Sequence, residues 1–154
     1  MCFCNQSCCK NIRWGAIFVS AIIYTIIAFL ARTGEAMLTM NYYMMPQYFS
    51  VWSKVMMPTA GPPPTSFYII SLLFSFVAGI ILALFYNFIK DKLCAGYWQK
   101  VVCFTGIVSV LAFVFSTLPM YLMINLPVCL MLIWFASSVV IFFVSSMVFA
   151  KIIK

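Results

Sequence analysis

Four stretches of this chain, about 14–31, 66–89, 101–124 and 128–150, contain no charged side chain. That feature leaves little choice of fold. Even the shortest, 18 residues from Trp14 to Ala31, rises about 27 Å as a helix, enough to cross the hydrocarbon of a bilayer. Backbone in lipid must satisfy its own N–H and C=O groups, so spans of this length are expected to be helices. The expected fold class is all-α: a polytopic membrane protein, four transmembrane helices in a compact bundle, over a single domain 1–154. Composition fits, because only 7% of residues are charged against about 25% in an ordinary soluble domain.

The connections differ in kind. The first, 32–65, is long and is expected to lie outside the membrane. It ends in Gly61-Pro62-Pro63-Pro64, which cannot continue a helix because each proline lacks an N–H and pushes its predecessor toward extended geometry. Tyr42, Tyr43, Tyr48 and Trp52 favour the headgroup layer, and Lys54 can reach phosphate from there. One or two short interfacial helices, broken at Pro46 and ended before Pro58, are expected. The second connection runs through Lys90-Asp91-Lys92 to Lys100. The third, Asn125-Leu126-Pro127, is so short that the last two spans must form an antiparallel hairpin, with Asn125 suited to cap the fourth span and Pro127 to its first turn.

Charge placement sets an expected orientation. Lys10, Arg13, Lys90, Lys92, Lys100, Lys151 and Lys154 fall on one side, and Arg32 and Lys54 on the other. By the positive-inside rule both termini are expected to be cytoplasmic and the long loop external. No small-x-small cleavage site precedes Arg32, so the first span is expected to be retained. Arg32 and Glu35, three residues apart, read as a surface pair that ends the first span at the interface. Glu35 is also the only carboxylate on that side, which keeps it as a candidate ligand or proton acceptor at the mouth of the bundle.

Several function classes lack their parts. There is no histidine, and Glu35 and Asp91 are the only carboxylates. Paired-carboxylate hydrolysis, histidine acid–base chemistry and hard-cation cages are therefore unexpected. No base accompanies the span serines, and there is no C-x-x-C pair for thiol exchange. We expect no enzyme, no cofactor and no nucleic-acid partner, the net charge of +7 being membrane-flanking.

Three groups of residues remain. Ser75, Gly79 and Ala83 recur every four residues on the second span and form a small-residue stripe for close helix packing. Ser109, Ser116, Ser137 and Ser138 put hydroxyls on the third and fourth spans, where they read as helix–helix glue or as the lining of a polar crevice, and Pro119 should kink the third span nearby. Cys2, Cys4, Cys8 and Cys9 form a cysteine-rich head beside Lys10 and Arg13, open to no specific role, to acylation, or to metal or redox work.

The proline-ended loop, the span SLLFSFVAGIILALFY at Ser71–Tyr86 and the Leu118-Pro119 pair resemble a loose set of small four-span membrane proteins of bacteria and archaea. The resemblance covers about 40–150 in outline and implies fold and location alone, since that set has no assigned activity. The expected function is a non-enzymatic membrane component that binds lipid, a second copy of itself or another membrane protein. The alternatives are a carrier or pore for a small neutral solute and, third, a thiol redox or metal-binding membrane protein.

Overall fold

The computed structural model describes residues 12–43, 45–47, 65–93 and 95–153. Trp52, Lys54 and Pro62–Pro64 of the loop, and the cysteines at 2, 4, 8 and 9, lie outside them. Helix α1 spans Trp14–Tyr43, α2 Thr65–Ile89 and α3 Tyr97–Ala112. A π-helical stretch, Phe113–Thr117, joins α3 to the short α4, Leu118–Met123, and α5 spans Val128–Ile152. No strand occurs among the described residues, and four helices, α3 to α4 counted as one, are long and apolar enough to cross a membrane. The fold is an all-α four-helix bundle.

The first span departs most from expectation. Rather than stopping before Arg32, α1 continues for 30 residues through Arg32 and Glu35 to Tyr43, about 45 Å. Nothing in the sequence forces a stop: no proline occurs before Pro46, and Ala36, Met37, Leu38 and Met40 sustain helix formation past the charges. The loop therefore begins after Tyr43 rather than at 32. The third span starts early, at Tyr97, where the Gly96 N–H donates to Gln99 Oε1 at 3.3 Å. The turn before α5 also differs from expectation: Pro127 itself occupies the cap position and no side chain caps the helix.

Helix α1 packs against α2 and α5, and α3 packs against α5. The α1–α2 contact uses the predicted stripe. Gly79 and Ala83 are buried, and a Cβ at Gly79 would stand 3.0 Å from both Ala21 Cα and Tyr24 Cδ1. Ser75, at the open end of the stripe, is half-buried. Close approach of this kind is what small residues permit in a bundle with no hydrophobic force between its helices in lipid.

Two apolar clusters lie along the bundle. The larger, at the end where α1 begins and α5 stops, centres on Tyr86, Phe104 and Phe149. Tyr86 and Phe104 meet edge to face at 5.1 Å, and Phe149 lies 6.2 Å from Phe104 and 6.1 Å from Tyr86, so one triad ties α2, α3 and α5 together. Thr105 Oγ1 donates to Ser146 Oγ at 3.0 Å beside it. The smaller cluster, at the hairpin end, is Leu126, Leu130 and Met131 with Tyr42 and Tyr43 of α1 against it.

The kink expected at Pro119 takes the form of the π-helical stretch. Pro119 has no N–H to give, and the turn before it widens: the Leu118 N–H reaches back to the Phe113 carbonyl, five residues rather than four. The ring of Phe113 packs edge to face on Phe135 of α5 at 5.2 Å.

Gly79→Leu should weaken the bundle by about 1–3 kcal/mol, the usual cost of overpacking, because the new side chain must displace α1 backbone. Gly106→Leu, at a glycine with nothing within 4 Å of its Cβ position, should leave stability nearly unchanged. Unfolding of the two purified variants in detergent makes the comparison.

Candidate functional site

Between the two apolar clusters lies a polar layer built around Arg32. Its Nη1 donates to Glu35 Oε2 at 2.7 Å, and its Nη2 donates to Ser138 Oγ of α5 at 2.8 Å. A longer contact of 3.5 Å runs from Nη1 to the Trp134 carbonyl. The Ser138 hydroxyl in turn donates to that same carbonyl at 2.8 Å. One guanidinium thus links α1 to α5 through a hydroxyl whose donor and acceptor capacities are both used.

The depth of this layer follows from the helices that carry it. Ser138 is ten residues past Val128 and fourteen before Ile152 on α5, about 15 Å from one end and 21 Å from the other. Arg32 is eleven residues short of Tyr43, about 16 Å from the same end. Ser138 thus falls near the middle of α5, and Arg32, eighteen residues past Trp14, a little beyond the middle of α1. The pair read as an interfacial stop therefore sits inside α1, so a helix long and apolar enough to cross a membrane does contain ionisable residues.

Glu35 is 8% exposed, whereas the Arg32 side chain is 48% exposed. On insertion scales an unpaired arginine at the centre of a spanning helix costs about 2.5–3.5 kcal/mol, and burying a lone carboxylate costs several more. Each charge offsets the other's burial, and the helix geometry makes the pairing local, since residues three apart share a face. The Thr39 hydroxyl donates to the Glu35 carbonyl at 2.8 Å, which satisfies a buried polar group one turn above the pair.

The pair opens into a cavity of about 320 Å³ between α1, the π-helical stretch with α4, and α5. Arg32, Glu35, Ser116, Thr117 and Ser138 form its polar wall, and Met120, Met131, Trp134 and Phe135 its apolar wall. A second cavity of about 250 Å³ lies between α1, α2 and α5. Arg32 and Ser138 line both, with Ser75, Tyr24 and Phe74 among the further walls of the second.

Of the four serines read as a crevice, the structure brings Ser116 and Ser138 to the Arg32 cavity. Ser109 and Ser137 line neither cavity, and their buried hydroxyl oxygens have no hydrogen-bond partner among the described residues. Glu35, expected in an external loop, is a wall of the cavity instead. Arg32, Thr117 and Trp134 were missed as site residues. The available signal was the unbroken helix-compatible sequence from Trp14 to Tyr43, which puts Arg32 inside a helix rather than at its end. No group of three or more metal-ligating side chains occurs among the described residues.

Replacing Arg32 by methionine leaves Glu35 buried without its counter-charge. We expect a loss of roughly 3 kcal/mol, toward the lower end for a broken buried pair because Arg32 is itself half-exposed. Adding Glu35→Leu should recover most of that loss. A double-mutant cycle read by unfolding in detergent measures it, and additive single effects would show the pair to be energetically idle.

Comparison with known protein families, with curated proteins and with solved structures finds no match to this chain.

Proposed function

We propose that this protein is a carrier or pore for a small polar solute of zero net charge, which it holds in the Arg32 cavity. The observation that carries the reading is the Arg32–Glu35–Ser138 layer halfway along the spans, facing a cavity with two further hydroxyls, Ser116 and Thr117. Ionisable residues at this depth are expensive and mark solute or ion pathways more often than they serve packing. The pair sums to zero charge, so the site neither selects nor repels a neutral solute by Coulomb force. It offers both donors and acceptors instead.

The layer also explains why ionisable side chains are affordable here without a strongly charged pore. Nothing in the wall is a base beside an activated nucleophile, so binding and passage, rather than covalent chemistry, are what these groups support.

A second reading is a membrane component that works by binding lipid, a second copy or another membrane protein. The outer half of α2 favours it: Thr65 to Ile70 are all exposed, as are Leu73 and Phe74. The Gly79–Ala83 stripe does not serve that role, because α1 already occupies it.

For location, we propose the plasma membrane of a prokaryote with both termini in the cytoplasm. Arg13, Lys90, Lys92, Lys100 and Lys151 all lie at one end of the bundle, and such clusters stay inside.

Vesicles carrying the purified protein should swell faster than empty ones in gradients of glycerol, urea or glycine. Ser116→Leu and Ser138→Leu, with the helical fold intact by circular dichroism, should return the rate to that of empty vesicles. Equal rates with and without wild-type protein would remove the carrier reading, and a defined oligomer in native mass spectrometry would then favour the second. For topology, a cysteine introduced by Ser50→Cys in a background without native cysteines should react with an impermeant maleimide on intact cells. One introduced by Asp91→Cys should not, and the reverse pattern would invert the orientation.

A further inference from the structure

We infer that the solute taken by the Arg32 cavity is a zwitterion of the α-amino-acid type with an apolar side chain, its carboxylate on Arg32 and its ammonium on Glu35. The inference rests on the proposed role of that cavity in solute binding and names the chemical class.

The first support is the count of free hydrogen-bonding capacity. A guanidinium has five N–H donors, and Arg32 commits three, to Glu35, Trp134 and Ser138. Among the described residues two are left without a partner, one on Nη2 and one on Nε of the same planar group, and a carboxylate can accept from both. Glu35 meets Arg32 through Oε2, and a carboxylate has about four acceptor positions over its two oxygens, enough for an ammonium as well. Ser116 and Thr117, which also line the cavity, can each donate or accept.

The second support is spacing. The two charged groups of an α-amino acid hang from one carbon, so a site for both needs its opposite charges side by side. Arg32 and Glu35 are in contact at 2.7 Å. A solute with only one charge would leave the other member of the pair competing for it, and would bring uncompensated charge to the middle of the spans. A zwitterion adds none.

The third support is size and wall chemistry. A cavity of about 320 Å³ has the volume of roughly ten waters, and thus holds a molecule of about ten non-hydrogen atoms. Beyond the polar wall lie Met120, Met131, Trp134 and Phe135, soft and aromatic surfaces that suit an aliphatic or aromatic side chain.

The test uses the whole wild-type protein in detergent or nanodiscs and three ligands of one shape. L-Leucine carries both charges, 4-methylpentanoate only the negative one and leucine methyl ester only the positive one. Isothermal titration should show leucine bound about ten- to a hundredfold more tightly than either analogue, the usual cost of losing a hydrogen bond to a charged group. Glu35→Gln keeps a hydrogen-bonding side chain and should shift preference toward 4-methylpentanoate. Arg32→Gln should shift it toward the ester. Wild-type protein that binds an analogue as well as leucine overturns the inference. So does protein that speeds swelling in glycerol or urea yet binds no leucine, and in that case the carrier reading stands. No binding together with no swelling removes both.

Discussion

One hydrogen-bonded guanidinium decides how this bundle is put together. Arg32 cannot sit halfway along four apolar helices unless something meets its charge and its donors. Glu35 meets the charge from one turn away, and Ser138 and Trp134 meet the donors from α5. Once that link exists, the register of α1 against α5 is fixed, because sliding either helix by one residue would break it. The register then carries other features with it. Tyr42 and Tyr43 arrive beside Leu126 and Leu130, and Ile17 arrives in the cluster of Phe149 and Ile153.

The rest of the bundle is divided between two kinds of contact. At one end three aromatic rings from three helices hold α2, α3 and α5 together. Along α1 and α2 the contact is backbone against backbone at Gly79 and Ala21, where dispersion over a small gap does the work. The α1–α2 contact ends at the polar layer, where Tyr24 and Ser75 line the second cavity. There the helices part enough to leave two cavities either side of Arg32 and Ser138, and the π-helical stretch widens the third span where it faces one of them. Packing is tight where it fixes the fold and loose where polar groups gather.

Much of this was legible in the sequence. Uncharged runs of sufficient length called all four helices, because lipid leaves a spanning backbone few alternatives. The Ser75–Gly79–Ala83 spacing identified a contact face, since period four on a helix needs no tertiary knowledge, and Ser116 and Ser138 were legible as crevice hydroxyls. Arg32 was not. Charge next to an apolar run reads as the end of that run, and an 18-residue run already crosses the hydrocarbon. The helix-compatible sequence up to Tyr43 pointed to a longer helix, but the serine that meets Arg32 lies 106 residues away on α5, and local sequence carries no trace of that partner. Ser109 and Ser137 line neither cavity, since sequence gives the side chain but not which way its helix turns there. Pro119 announced a disturbance, whereas the choice of a π-helical turn depends on the neighbouring packing.

With the bundle placed across a membrane as proposed, the position of the pair well inside α1 also determines how it meets a membrane potential. Moving one elementary charge through the whole field is worth about 2.3 kcal/mol per 100 mV, so reaching the Arg32 layer from either face is worth about half of that. The layer itself bears one positive and one negative charge in contact, so the field exerts almost no net force on it and does not pull α1 against α5. An occupant without net charge would likewise enter and leave with no electrical work. Occupancy would then follow concentration on the two faces, indifferent to whether the cell is energised.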